Sequence, residues 1–128
     1  MEYCGGSSIP SRDFEKQLFQ GMKTLHSLRI VHRDIKPSNV DWSPHFQKWV
    51  FLDFGFGKCL EQKIGQKTKT KFIGSYHYAS RDLQKTHDLS QAGWVDFYHN
   101  DLHGLRKVIR IMNENVEKEK EKRKENVV

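Results

Sequence analysis

Apolar residues recur every three or four positions in two stretches of the chain, which indicates two amphipathic helices. The first stretch predicts a helix over residues 12–28; its apolar positions are Phe14, Leu18, Phe19, Met22 and Leu25. The second predicts a long helix from residue 94, with Gly104 as its one weak point. Its apolar positions are Trp94, Tyr98, Leu102, Leu105, Ile109, Met112 and Val116. We expect both stripes to belong to the core.

Between these helices, β-prone residues occur only in short runs. Residues 29–31 are short and β-prone, and the sequence WVFLD at 49–53 reads as a short buried strand by composition. Residues 61–72 are rich in Lys, Thr and Gln and lack periodicity, so we expect an exposed, mobile loop there. The sequence therefore predicts an α+β fold that is mainly α.

The net charge of +6 is unevenly placed along the 128 residues. Residues 113–128 hold five acids and five bases, so the positive surplus lies before them, and five lysines fall within residues 58–71. Such a stretch attracts phosphate groups. No apolar run approaches the length of a membrane span, the start lacks a secretory pattern, and Cys4 and Cys59 suggest no disulfide framework. We expect a cytoplasmic protein, with the nucleus as the alternative, and no membrane partner.

The sequence HRDIKPSN at residues 32–39, followed by DFG at 53–55, carries the candidate chemistry. Five residues separate Asp34 from Asn39, and fourteen separate Asn39 from Asp53. This pattern resembles the catalytic loop and metal-binding turn of eukaryotic protein kinases. Lys36, followed by proline, resembles the serine/threonine class. The resemblance covers about residues 1–112. It implies part of a kinase C-terminal lobe with short β-hairpins at the catalytic loop, one of them over residues 39–53.

The resemblance implies a role for each residue of the motif. Asp34 would accept the proton of a substrate hydroxyl, and Lys36 would steady the phosphoryl group transferred from ATP. Asn39 and Asp53 would bind Mg²⁺ through oxygen atoms. His32 would hold the loop, and Arg33 would meet a phosphate on the activation segment.

Other segments follow in the order that the family has. MEYC at residues 1–4 resembles the hinge between kinase lobes, where the backbones of Glu2 and Cys4 would bind adenine, with Met1 as gatekeeper. GSYHYAS at 74–80 resembles the end of a casein-kinase-type activation segment, where Ser75 would bridge Asp34 and Lys36. Thr68 and Thr70 are candidates for an activating phosphate. Asp101 matches the acid that ties the long helix to the catalytic loop.

The chain departs from the family pattern because the phosphate-covering glycine loop, its lysine and the partner glutamate have no counterpart in it. We expect a truncated product, whose N-terminal lobe belongs to the same gene product; a chain of something larger and a genuine minimal protein are the alternatives. The tail at 113–128 is expected to be a charged helical or disordered extension. The partners implied are ATP and a protein substrate.

Two function classes remain open on the sequence. One is a serine/threonine kinase with little activity in this chain alone, and the other is a kinase-derived, non-catalytic binding module. His99 and His103 have helical spacing, but residue 100 is Asn where a zinc protease motif has Glu, so a solvated or packed helix face is favoured. The lysines at 67, 69 and 71 lack interleaved aromatic residues, so we do not expect nucleic acid binding.

Overall fold

The computed structural model of the protein describes residues 12–126, which form three α-helices, six short strands and two 3₁₀ helices at Pro37–Asn39 and Tyr76–Tyr78. Five of the strands lie between the first and the second α-helix. The helices are α1 (Arg12–Ser27), α2 (Arg81–Asp88) and α3 (Phe97–Asn126). The strands are β1 (Ile30–Val31), β2 (Val40–Ser43), β3 (Lys48–Phe51), β4 (Lys58–Cys59), β5 (Thr68–Thr70) and β6 (Gly93–Val95). The predicted α+β, mainly α composition is confirmed. The proposed hinge with Met1, Glu2 and Cys4 lies outside the described residues.

The predicted first helix is confirmed as α1, which ends one residue before the predicted boundary. Phe14, Leu18 and Met22 are buried in one core cluster with residues of α3 and of the loop after β1. Phe19 is 36% exposed, so it does not widen the buried stripe. The apolar spacing of three and four residues therefore gives α1 a single buried face, which packs against α3 and β3.

All the sheets of the described residues are antiparallel pairs of two strands. The predicted hairpin is confirmed as β2 and β3, which pair Val40 with Phe51 and Ser43 with Lys48. β1 pairs with β4, and β5 pairs with β6. Sheets of two strands are too small to form a core by themselves, so the strands pack against the helices. A second core cluster contains residues of β1, α2, β6 and the start of α3.

The predicted start of the long helix is wrong. Trp94 lies in β6 and is 61% exposed, and α3 begins at Phe97. The carboxylate of Asp96 accepts a hydrogen bond from the backbone N–H of His99 at 3.2 Å, which is the contact of a helix N-cap. The spacing from Trp94 to Tyr98 is therefore coincidental, because a capping residue stands between them. Tyr98, Leu105 and Ile109 are buried as predicted.

Gly104 is a point of close approach between α3 and the loop after β1. A Cβ atom there would lie 3.1 Å from both Cβ and the carbonyl oxygen of Ile35, and 3.2 Å from the carbonyl oxygen of Tyr78. The missing side chain therefore lets the helix contact two backbone segments that border the candidate site.

Residues 61–72 do not form the continuous loop that the sequence predicts, since β5 lies within them. Thr68 pairs with Val95, and Thr70 pairs with Gly93. Backbone pairing holds these residues although their side chains have no apolar alternation. α3 continues through the charged tail to Asn126, so the tail is helical there. Among residues 12–126, no helix is long and apolar enough to cross a membrane.

Candidate active site

The loop that follows β1 is held by the carboxylate of Asp101, which α3 places in the core with no exposed surface. Its Oδ2 accepts a hydrogen bond from the backbone N–H of His32 at 2.8 Å, and its Oδ1 accepts one from that of Arg33 at 2.8 Å. Arg33 has a φ of 70°, a conformation that costs energy in a residue other than glycine. The carboxylate of Asp101 therefore fixes a strained turn immediately before Asp34.

His26 completes the environment of this carboxylate. Its Nε2 lies 3.0 Å from Oδ2 of Asp101, and the imidazole is 6% exposed. A buried carboxylate needs partners for its oxygen atoms, and His26 adds one from α1. His26 is not among the residues predicted from the sequence; its signal was a histidine four positions after Met22, on the buried stripe of α1.

His32 connects the loop to the segment after β3. Its Nδ1 accepts a hydrogen bond from the backbone N–H of Asp34 at 3.1 Å, so Nε2 carries the proton and donates to the carbonyl oxygen of Leu52 at 2.7 Å. The ring also packs against that of Phe54, with centroids 4.7 Å apart. One neutral imidazole thus orients both Asp34 and the backbone beside Asp53.

The carboxylate of Asp34 is 8% exposed and has polar neighbours on both oxygens. Oδ1 accepts a hydrogen bond from the hydroxyl of Ser75 at 2.7 Å. Nζ of Lys36 lies 3.8 Å from Oδ2. Ser75 was expected to contact both Asp34 and Lys36. Within residues 12–126 it makes a hydrogen bond to Asp34 and none to Lys36.

Asn39 lies at the base of the β2–β3 hairpin, where its side chain braces the loop. Nδ2 donates to the carbonyl oxygen of Asp34 at 2.8 Å, which leaves the amide oxygen as the acceptor atom of this side chain. The backbone oxygen of Asn39 accepts from Leu52 at 2.8 Å. Asp53 comes directly after Leu52, so Asn39 and Asp53 lie at the same end of the hairpin.

Asp53 is exposed and has a φ of 53°. Its Oδ1 accepts a hydrogen bond from the backbone N–H of Gly55 at 3.1 Å. The side chain is thus held by the turn that follows it. In residues 12–126, no three His, Cys, Asp or Glu side chains form a metal cluster.

Arg33 turns its side chain toward the turn after Asp53. Nε donates to the carbonyl oxygen of Phe56 at 2.6 Å, and the guanidinium carbon lies 5.1 Å from the centre of the Phe97 ring. Burial lowers the pKa of Arg33 below its ordinary value, and the charge of Asp101 opposes that effect. Arg33 therefore lies between the two loops rather than in open solvent.

The two candidate phosphate acceptors, Thr68 and Thr70, lie on β5. Oγ1 of Thr68 is buried and has no hydrogen-bond partner among the described residues. Oγ1 of Thr70 donates to the carbonyl oxygen of Lys71 at 2.7 Å. A buried hydroxyl must become exposed before it can be modified, so Thr70 is the more accessible of the two candidates.

Residues 7–98 match the family described as the protein kinase domain. The chain belongs to the protein kinase family. It is 30% identical over 112 residues to mitogen-activated protein kinase kinase 9 from Arabidopsis thaliana, a match that covers 80% of this chain and 34% of that protein. It is 51% identical over 88 residues to the probable serine/threonine-protein kinase ireA from Dictyostelium discoideum, which covers 64% of this chain and 9% of that protein.

A third relative is the meiosis-specific serine/threonine-protein kinase mek1 from Schizosaccharomyces pombe, 32% identical over 78 residues, or 59% of this chain and 17% of that protein. The chain thus spans about a third or less of the length of these kinases. Family membership makes the chain a protein kinase by class. ATP and Mg²⁺ are what this family generally uses.

Proposed function

We propose that the chain is part of the C-terminal lobe of a serine/threonine kinase, which transfers the γ-phosphate of ATP to serine or threonine hydroxyls of a protein substrate. The observation that carries the proposal is the hydrogen bond from Ser75 to Asp34 at 2.7 Å. It supports the proposal because the segment that we expect to hold a substrate lies beside the carboxylate that we propose as the base.

Asp34 is proposed as the catalytic base. Its backbone is fixed by His32 and Asn39, and its carboxylate is shared with Ser75. A substrate hydroxyl that approaches this carboxylate gives up its proton to Asp34 as its oxygen attacks the γ-phosphate. Lys36, at 3.8 Å from the same carboxylate, supplies a positive charge where negative charge develops.

Asn39 and Asp53 are proposed to hold Mg²⁺. The residues fit this ion, because the amide nitrogen of Asn39 is already bonded to Asp34 and its oxygen faces no competing described donor. Hard oxygen ligands suit Mg²⁺, which when bound neutralises charge on the phosphates of ATP. The chain's own contribution is to keep both oxygens at the end of one hairpin.

Arg33, Thr68 and Thr70 are proposed to regulate the site. A phosphate on Thr70 would carry a strong acceptor group, and Arg33 already contacts the segment after Asp53 through Phe56. If the phosphate draws the guanidinium away from Phe56, the turn that holds Asp53 changes with it. The adenine contacts of Glu2 and Cys4 belong to the same proposal.

An exposed apolar face beside the site supports the proposal that an N-terminal lobe of the same gene product completes it. Leu52, Phe54 and Phe56 are each 40% or more exposed. Of these three residues, Phe54 also lines a groove of about 490 Å³ between α1 and β3, together with Trp49 and Phe51. Apolar surface of this kind is commonly covered by a partner.

The experiment is a radiolabelled ATP assay on the purified chain with a generic basic protein substrate. We expect little or no transfer, because a lobe without the phosphate-covering loop positions ATP poorly and positioning supplies much of the acceleration. Asp34→Asn is the control. Joining the chain to an N-terminal lobe from a related kinase should restore transfer, and restored transfer that survives Asp34→Asn would contradict the assignment of the base.

The alternative is a kinase-derived binding module without phosphotransfer, and the same exposed apolar face favours it. If the joined protein binds ATP with Mg²⁺ but transfers no phosphate, the binding module is the better description. Weak ATP binding by the joined protein, unchanged by Asp53→Asn, would count against the proposed metal ligands as well.

A further inference from the structure

Two histidines on α3 take no part in the proposed kinase chemistry. His99 and His103 are one helical turn apart, both side chains are exposed, and their ring centroids lie 6.3 Å apart. Within residues 12–126, neither imidazole makes a hydrogen bond to another residue; the contact of His99 with Asp96 uses the backbone N–H. By contrast, His26 and His32 have ring nitrogens bonded to Asp101 and Leu52.

The charges around the pair limit its affinity for a cation. Lys107, Arg106 and Arg110 are positively charged and act on His103. The same positive charges repel a cation, so the affinity of a site here is modest.

The spacing suits a shared metal ion. Histidines four residues apart on a helix lie on one face, and this arrangement supplies two ligands in known zinc sites. Two imidazoles that bind one ion, with each nitrogen about 2.1 Å from it, bring their ring centroids to about 5 Å. Both rings are exposed and unbonded, so side-chain rotation can close the difference from 6.3 Å.

We propose that His99 and His103 together bind a divalent transition-metal ion of borderline softness, Cu²⁺ more tightly than Zn²⁺. Imidazole nitrogen suits such ions, and the order of affinity follows the general preference of nitrogen sites. No third His, Cys, Asp or Glu completes a cluster among the described residues. Water or an external ligand therefore fills the remaining positions.

The site is inferred to bind metal and not to hydrolyse a substrate. Residue 100 is Asn, and its side chain is buried on the other side of the helix, where Oδ1 accepts a hydrogen bond from the backbone N–H of Ser80 at 2.7 Å. A general base beside the two histidines is thus lacking at that position. The site is also chemically distinct from Asn39 and Asp53, whose oxygen donors suit Mg²⁺.

The test uses the untagged 128-residue chain with Cys4 and Cys59 alkylated, because a free thiol such as the exposed Cys59 reduces Cu²⁺ and binds the product. The chain is titrated with Cu²⁺ in a calorimeter and measured by electron paramagnetic resonance with one equivalent of Cu²⁺. We expect one site whose spectrum shows hyperfine coupling to two nitrogens. His99→Gln and His103→Gln should each weaken binding by roughly tenfold or more, as losing a partner around a metal does elsewhere. The matched controls His45→Gln and His77→Gln change other exposed histidines and should leave binding unchanged.

Excess Mg²⁺ should not displace the Cu²⁺, and Asp53→Asn should bind it as the unmodified chain does. A spectrum with one nitrogen or none, or equal affinity in the unmodified chain and both histidine variants, would overturn the proposal. Circular dichroism of each variant checks that the helix persists. The spectrum of the unmodified chain decides the matter even if a variant unfolds, and none of these outcomes depends on kinase activity.

Discussion

The hydroxyl of Ser75 donates a hydrogen bond to Oδ1 of Asp34 across 2.7 Å, although 41 residues separate the two in sequence. This bond joins the loop after β1 to the segment before α2. Asp34 is buried, so if the hydroxyl of Ser75 were removed, water would reach Oδ1 of Asp34 poorly. The bond therefore serves two purposes, since it orients the proposed base and ties two loops together.

Replacing Ser75 by Ala should destabilise the fold by about 1–2 kcal/mol, because it leaves one oxygen of a buried carboxylate without its partner. The measurement is the free energy of unfolding from urea titration. Ser38→Ala changes an exposed serine and should alter that free energy by less than about 0.5 kcal/mol. Equal effects of the two substitutions would show that the bond contributes nothing.

Replacing Asp101 by Asn should be more costly, at about 2–4 kcal/mol of unfolding free energy. Both oxygens of Asp101 accept backbone N–H groups, and an amide offers one oxygen and a nitrogen that cannot accept. Asp82→Asn is the control, because Asp82 is half-exposed and its Oδ2 lies 3.8 Å from Nζ of Lys67. An exposed pair of this kind contributes about 0–1 kcal/mol. A loss for Asp101→Asn no larger than that of the control would contradict the role given to the buried carboxylate.

The β2–β3 hairpin, with four residues in each strand, was predicted from the composition of residues 49–53 and from the resemblance to protein kinases. The helix α1 could be predicted because its apolar residues follow one period for long enough to be read. α2 could not, since its eight residues are mostly charged or polar and bury Leu83 and Thr86 alone. β5 and β6 have three residues each, too few for a period. Their pairing depends on a contact between distant segments that no local pattern records.

Some residues of the candidate site could likewise be predicted from the sequence, and others could not. Asp34, Asn39 and Asp53 stand in one short pattern, so their residue types and their spacing are enough to indicate the chemistry. His26 could not be placed, because its partner Asp101 lies 75 residues away. The strain at Arg33 is also invisible in the sequence, since it exists only where the carboxylate of Asp101 holds the backbone.

The titration of His103 should make the fold less stable as pH falls. The side chain of His103 is largely exposed, but its partial burial in the folded chain still lowers its pKa from the ordinary value of 6.5, and nearby positive charges lower it further. The unfolded chain therefore binds the proton more readily, and stability is lost as pH falls through that value. His103→Gln should reduce the difference in thermal midpoint between about pH 7.5 and about pH 5.5. His45→Gln is the matched control, and an unchanged difference in His103→Gln would contradict the prediction.

Gly74 positions Ser75, and two glycines with nearly the same backbone allow its role to be measured. Gly74 has a φ of 96°, and a Cβ there would lie 2.3 Å from the carbonyl oxygen of Arg33. Gly65 has a φ of 92°, but a Cβ there would meet nothing within 4 Å. Both positions penalise a side chain through the backbone, by about 1–2 kcal/mol. Only Gly74 adds a clash with backbone that Asp101 holds in place.

We therefore expect Gly65→Ala to lower the free energy of unfolding by about 1–2 kcal/mol and Gly74→Ala to lower it by about 3 kcal/mol or more. Urea titration of the two variants beside the unmodified chain measures the difference. Because the clash is with Arg33, its relief would move the loop that carries Asp34, and amide exchange at residues 32–36 should rise in Gly74→Ala alone. Equal losses in the two variants, with unchanged exchange, would mean that the close approach of Gly74 to Arg33 does not position the site.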